Sequence, residues 1–300
     1  MCGCAIKVPT IKSMFYFKSL KHLKLWEIIF NIDNSLGLNL NLPLLQSFET
    51  QNCTWLCTKN EGVTIEAPLL GSVYIQDNNC VSHEPHSSTI KFSASCMTGF
   101  TYCGYGGISQ PVVLSNPSAA RNASVNISLY RYQGSYVQGT GSRVCLLLKQ
   151  FSQVKFMKFH GSEVLMQQNV TILPLFVMLT YLKLHLVTGE VLISLLQKSP
   201  VLKTLVIEKI SGFEQEIFNS SVVPDCLATT LEVVKFNKVY ANEDVLYLAK
   251  FFIENAMVLK RMSFSWWCRE DKTKEIKEFK EKVFSFKKGE SLIILEFSYD

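Results

Sequence analysis

Leu179-Thr180-Tyr181-Leu182-Lys183-Leu184-His185 and, 23 residues later, Leu202-Lys203-Thr204-Leu205-Val206-Ile207-Glu208 share one spacing: apolar residues at the first, fourth and sixth positions. The last two apolar positions are two residues apart, so in a strand both point to one face and the residues between and after them point to the other. Working outward, the same spacing recurs at Leu20/Leu23/Leu25, Leu45/Phe48/Thr50, Leu70/Val73/Ile75, Met97/Phe100/Tyr102, Ser124/Ile127/Leu129 and Phe151/Val154/Phe156. With 48% hydrophobic residues, a three-position match arises by chance at about one start in nine, so the regularity of the intervals carries the argument. From Leu20 to Leu202 the first positions follow one another at 25, 25, 27, 27, 27, 28 and 23 residues.

Intervals of about 20 to 29 residues belong to leucine-rich repeats, in which each unit adds one short parallel strand and buries its apolar face against its neighbours. The expected fold is α/β: a leucine-rich-repeat solenoid with a parallel β-sheet on the concave side and helices or loops on the convex side. The competing reading is an ordinary α/β domain whose buried strands recur at similar intervals. Gly189 to Lys198 reads as a helix with an acidic start and a basic end, stopped by Ser199-Pro200.

Near Val222 the character changes. Leu231/Val234/Phe236 continues the strand pattern, and then Val245, Leu248, Ala249, Phe252 and Ile253 take helical spacing behind Asn242, a candidate N-cap, with Glu243 and Asp244 in the first turn. The strand Leu259/Met262/Phe264 leads to a second amphipathic helix with Ile276, Phe279 and Val283 inward and a Glu278/Lys282 pair one turn apart. Leu292 to Phe297 reads as a last strand. The expected domains are therefore 1–221, divergent repeats, and 222–300, a β-α-β-α-β module that caps the stack.

The 300 residues carry a formal charge of +5, and the densest basic stretch, Lys272 to Lys288, is interleaved with Glu275, Glu278 and Glu281. That pattern is a solvated helix face, and no nucleic-acid footprint is expected. The apolar stretch Ile172 to Leu186 is broken by Pro174, Lys183 and His185 and is shorter than the roughly 20 residues of a membrane span. Ten cysteines occur behind an N-terminus without a signal-peptide pattern, so reduced thiols and a cytoplasmic or nuclear location are expected.

The search for chemistry returns little. Cys80, His83 and His86 have metal-like spacing but no fourth ligand, and Ser82, Pro85, Ser87 and Ser88 around them fit a polar loop. Gly104-Tyr105-Gly106-Gly107 lacks the dinucleotide fingerprint and the Lys-Ser/Thr of a phosphate loop, and reads as a turn. No catalytic constellation appears, so no enzyme activity, cofactor or metal is expected. The outward positions of the strands instead nominate a concave protein-binding surface made of Lys24, Trp26, Glu49, Gln51, Tyr74, Gln76, Tyr130, Lys155, Lys183, His185 and Glu208, with Thr101, Ser128 and Met157 among them. Trp26, Tyr74 and Tyr130 are its expected anchors.

Val223-Pro224-Asp225-Cys226-Leu227, Leu231-Glu232-Val233-Val234 and Phe252 to Met262 resemble, in order and spacing, the FBD domain of plant proteins. Upstream, Glu66 to Leu70, Phe100 to Tyr102 and Ser199 to Leu205 look like the repeat segments of the same F-box/FBD/LRR-repeat family, so the resemblance covers nearly the whole chain. It implies the substrate-recognition subunit of an SCF-type E3 ubiquitin ligase, in which an F-box grips a Skp-type adaptor and the repeats hold a target protein. The acidic-Arg-Ile and Leu-Pro pattern of an F-box does not precede Leu20. The expectation is thus a scaffold without its own F-box that does not bind the adaptor, or else a truncated fragment, or a decoy that binds targets without ubiquitination.

Overall fold

The computed structural model describes residues 4–8, 14–32, 37–57, 62–78, 88–167, 172–211, 215–220, 222–267, 273–286 and 293–299. The chain divides into two compact units, Met1–Phe156 and Met157–Asp300. Cys80, His83, His86 and Leu292 lie outside the described residues.

The first unit runs from strand to strand: β1 (Cys4–Val8), β2 (Met14–Tyr16), β3 (His22–Trp26), β4 (Ile28–Ile32), β5 (Leu38–Asn41), β6 (Ser47–Gln51), β7 (Thr54–Cys57), β8 (Val63–Glu66), β9 (Ser72–Asp77), β10 (Ile90–Ser93), β11 (Gly99–Tyr105), β12 (Val112–Leu114) and β13 (Ser124–Tyr130). A 3-10 turn at Pro117–Ala120 and the helix α1 (Thr140–Gln150) complete it. Successive strands do not pair. Each pairs in parallel with the strand one turn of chain away, giving a principal ladder β3-β6-β9-β11-β13 and two further ladders, β2-β5-β8-β10-β12 and β1-β4-β7.

The principal ladder stacks Leu23, Phe48, Val73, Phe100 and Val125 in one row, and the second ladder stacks Leu38, Val63, Ile90 and Val112 in another. Phe48 meets Phe92 edge-on at 5.3 Å, and Trp55, 1% exposed, stacks on Phe30 at 4.1 Å. The core of this unit therefore lies between ladders of strands. Helices or loops were the expectation for the returning segments, and most of those segments are strands. Ile28-Ile29-Phe30, Leu38-Asn39-Leu40, Val63-Thr64-Ile65 and Val112-Val113-Leu114 are short and rich in β-branched or alternating apolar residues, too short to nucleate a helix and well suited to a pleat.

Two corners are built alike. Glu27 (φ 52°) and Asn52 (φ 54°) follow the first strand of their turns in the left-handed region. Their amides donate one turn onward, Glu27 to the Gln51 carbonyl at 2.9 Å and Asn52 to the Gln76 carbonyl at 2.8 Å. The glycine cluster read as a turn is strand in its first half, since Gly104 and Tyr105 close β11, and only Gly106 (φ 83°) and Gly107 (φ 148°) bend the chain, in conformations that side chains resist.

The second unit alternates strands and helices: β14 (Phe156–His160), a 3-10 turn at Ser162–Gln167, β15 (Tyr181–Val187), α2 (Gly189–Gln197), β16 (Thr204–Ile210), α3 (Gln215–Ser220), α4 (Asp225–Thr229), β17 (Val233–Val239), α5 (Glu243–Asn255), β18 (Arg261–Trp266), α6 (Thr273–Ser285) and β19 (Ile294–Tyr299). Its strands lie in sequence order from β14 to β19, and the pairs from β15 onward are parallel. The expected cap holds at Asn242, which accepts from the Val245 amide at 3.0 Å at the start of α5, and Thr188, which the sequence reading did not name, accepts likewise from the Val191 amide at the start of α2.

Inward residues of this sheet meet the helices. Phe236, Phe264 and Phe297 form a row of parallel rings at 5.1 and 5.3 Å, and Phe279 of α6 meets Phe264 edge-on at 5.3 Å. Ile276, Phe279 and Val283 are buried as expected. The expected Glu278/Lys282 pair is replaced: Lys282 reaches Glu243 on α5 at 3.2 Å, and Glu278 lies 4.0 Å from Lys274. Packing α6 beside α5 brings Lys282 to the acidic first turn of that helix, a partner that intrahelical spacing does not reveal.

Candidate protein-binding face

Alternation along the strands exposes one side of each ladder. In β3 the burial pattern alternates, with Lys24 and Trp26 exposed and Leu23 and Leu25 half-buried; Trp26 is 63% exposed. The outward positions align in register as Lys24, Glu49, Tyr74, Thr101 and Asn126, and beside them as Trp26, Gln51, Gln76, Cys103 and Ser128. They are tied to one another. Lys24 sits 2.9 Å from Glu49, whose carboxylate also accepts from Gln51 at 2.7 Å, and the Tyr74 hydroxyl donates to Gln76 at 3.0 Å. The hydrogen bond from Lys24, then that from Gln51, holds the Glu49 carboxyl below the usual range, while burial pushes the Tyr74 phenol and the Cys103 thiol up. At the far end of the face Tyr130 stacks on Tyr105, ring centroids 4.9 Å apart. Sequence reasoning omitted Tyr105, which lies in the glycine cluster read only as a turn.

In the second unit Lys183, His185 and Glu208 come together on the outward face. Lys183 lies 2.5 Å from one Glu208 oxygen, and His185 Nδ1 contacts the other. Burial alone would raise the Glu208 carboxyl, but the hydrogen bonds from Lys183 and His185 prevail and hold it below its usual range. His160 joins this group, its ring 4.0 Å from that of His185, and burial, reinforced by the neighbouring His185, pushes its imidazole down.

Two nominated residues are misplaced by the sequence reading. Lys155 precedes β14 and is half-buried, and Met157 points inward at 1% exposure. The spacing has a second solution here, Val154/Met157/Phe159, and all three of those residues are buried while Phe156 is 46% exposed. The outward residues of β14 are therefore Phe156, Lys158 and His160; sequence reasoning placed Phe156 inward and did not nominate the other two, although the alternative register contained them. The Ser124/Ile127/Leu129 match also slips, by two residues: Val125 and Ile127 take the places of Phe100 and Tyr102. A two-residue slip preserves the face, so Ser128 and Tyr130 keep outward positions, Ser128 being buried there and Tyr130 half-buried.

Among the described residues no group of three or more His, Cys, Asp or Glu side chains is arranged to hold a metal ion, and no helix is long and apolar enough to cross a membrane. The described face is a surface of paired charges, amides and aromatic rings on an α/β scaffold of parallel strands.

The FBD family matches residues 219–264, from α3 through β17 and α5 into β18. Over 270 residues the chain is 26% identical to the F-box/FBD/LRR-repeat protein At3g14710 of Arabidopsis thaliana, covering 85% of this chain and 55% of that protein. It is 32% identical over 96 residues to the F-box/FBD/LRR-repeat protein At5g22660, 31% of this chain and 21% of that one. It is 31% identical over 126 residues to the putative F-box/FBD/LRR-repeat protein At5g44960, 40% of this chain and 29% of that one, both from the same plant. No solved structure matches. The chain is similar to plant F-box/FBD/LRR-repeat proteins, and it spans about half the length of the first of them.

Proposed function

We propose that this chain is a protein-binding scaffold that holds a target on the outward face of its parallel strands, in the manner of the substrate-recognition part of an SCF-type ubiquitin ligase. The observation that carries the reading is the aligned outward row of Lys24, Glu49 and Tyr74 in register beside Trp26, Gln51 and Gln76. These side chains are ordered by mutual hydrogen bonds yet left accessible, and a surface so preorganised loses little entropy on docking. Its aromatic anchors are of the kind that dominate interface energetics. In this reading 1–221 is a divergent leucine-rich-repeat array and 222–300 an FBD-like cap.

A photo-crosslinking residue placed at Tyr74 or His185, with a third variant carrying it at the exposed Lys277 of α6, tests the proposal in plant extract. A target captured from the sheet positions alone is the expected result, and equal capture from Lys277 would remove the sheet face from the account.

A further inference from the structure

We propose that the outward sheet face of the second unit docks an acidic segment of its protein partner, with Lys158 and Lys235 as the charges that receive it. The proposal rests on reading that face as a protein-binding surface, and it names the partner's chemistry.

The argument is a charge balance on one face. Lys183 and His185 are already engaged by Glu208, and Arg261 on β18 lies 3.4 Å from Glu296 on β19. Those groups neutralise one another. Lys158 and Lys235 have no ion-pair partner among the described residues, so the face retains two cations. Their placement is fixed by the ladder. Lys183, Val206 and Lys235 lie in register across three strands. Lys158 precedes His160 by two residues as Lys183 precedes His185, and the two imidazoles are 4.0 Å apart, which puts Lys158 beside Lys183.

Strands about 4.8 Å apart spread this row over roughly 15 Å, the reach of four to five residues of extended peptide. Val206, between Lys183 and Lys235, is only 2% exposed, so the side chain between those two lysines is apolar and adds no competing charge. A carboxylate is the group that complements a lysine ammonium left without an ion-pair partner on such a face. A peptide fits better than a nucleic acid because carboxylates flank the row: Glu208 lies two residues beyond Val206 on β16, and Glu296 lies two strands past Lys235. Separate carboxylates can pass between them, whereas a continuous phosphate backbone would be repelled.

The test uses the full chain and fluorescein-labelled decapeptides of alternating Glu-Ser, Gln-Ser or Lys-Ser, with a single-stranded DNA decamer, read by anisotropy at low salt. The Glu-Ser peptide is expected to bind best. The double variant Lys158→Glu/Lys235→Glu should weaken it at least about tenfold, Lys158→Gln/Lys235→Gln should weaken it less, and Lys277→Glu on α6 should leave it unchanged, with circular dichroism confirming that each variant is folded. Equal losses for Lys277→Glu and the double variant would reduce the effect to net charge and overturn the proposal, as would tighter binding of the DNA. If the Gln-Ser or Lys-Ser peptide binds best, and His185→Ala abolishes it, the acidic class is wrong while the protein-binding reading stands. Binding of no peptide overturns both for this face.

Discussion

The imidazole rings of His160 and His185 lie with their centroids 4.0 Å apart and their planes 38° from parallel. Burial, then the neighbouring His185, depresses His160, while Glu163 and Glu208 pull weakly the other way. A histidine whose pKa is lower in the folded than in the unfolded chain binds fewer protons when folded. Its contribution is therefore complete above the ordinary histidine value of about 6.5 and is lost as the pH falls through the folded value. Urea midpoints measured from pH 7.5 down to pH 5 should decline, and His160→Gln should flatten that decline. A slope that survives the substitution would locate the titration elsewhere. Glu208, also depressed, acts in a separate and lower window, below about pH 4.5.

Leu25 and Trp26 are adjacent and should respond differently. Trp26 is 63% exposed, so Trp26→Ala should change stability by less than about 1 kcal/mol. Leu25 is half-buried, and Leu25→Ala should cost about 1 to 3 kcal/mol, toward the low end for a core leucine. Thermal melts of the two variants check the strand register directly, since equal losses would mean that the outward face has been assigned backwards.

Gly104 cannot become alanine without backbone movement. A Cβ there would stand 2.1 Å from the Gly107 carbonyl oxygen and 2.9 Å from the Tyr102 ring. Gly104→Ala should destabilise the first unit by about 2 kcal/mol or more, the range of severe single substitutions. Glu27, with φ 52°, offers the opposite change: Glu27→Gly relieves a left-handed residue that costs about 1 kcal/mol. Denaturant melts should move in opposite directions for the two variants.

Phe264 is the centre of the aromatic row in the second unit, stacked between Phe236 and Phe297 and met edge-on by Phe279. Phe264→Ala should cost about 3 to 5 kcal/mol, and Phe264→Leu markedly less. If the alanine variant melts like the parent, the packing of α6 on this sheet is misdescribed.

Much of this was legible in the sequence, and the reasons are local. The inward pairs Leu182/Leu184 and Leu205/Ile207 and the capped helix after Asn242 follow from periods of two and 3.6 residues, which the chain states without ambiguity. What failed were degenerate signals. Phe151-Ser152-Gln153-Val154-Lys155-Phe156-Met157-Lys158-Phe159 satisfies the spacing in two registers, and only burial selects between them. The returning strands of the first unit are three to five residues long, below the length at which periodicity discriminates. The link between Lys282 and Glu243 spans 39 positions, a contact that helix packing creates and no local rule foresees. On the outward face the individual residues could be named from alternation, but their mutual ion pairs needed the strand register.

The register of the first unit has a modular consequence. Leu23 pairs with Phe48 and Phe48 with Val73, Ile29 with Thr54, and Leu38 with Val63, all at the same offset of 25 positions. Over these turns the three ladders advance together, so here one whole turn is an interchangeable length of chain. Excising 47–71 would set Leu23 against Val73 with its face unchanged, whereas losing a single residue from the same stretch would turn every following side chain over. Lineages carrying such a chain can therefore shorten or lengthen it by whole turns far more readily than by single codons.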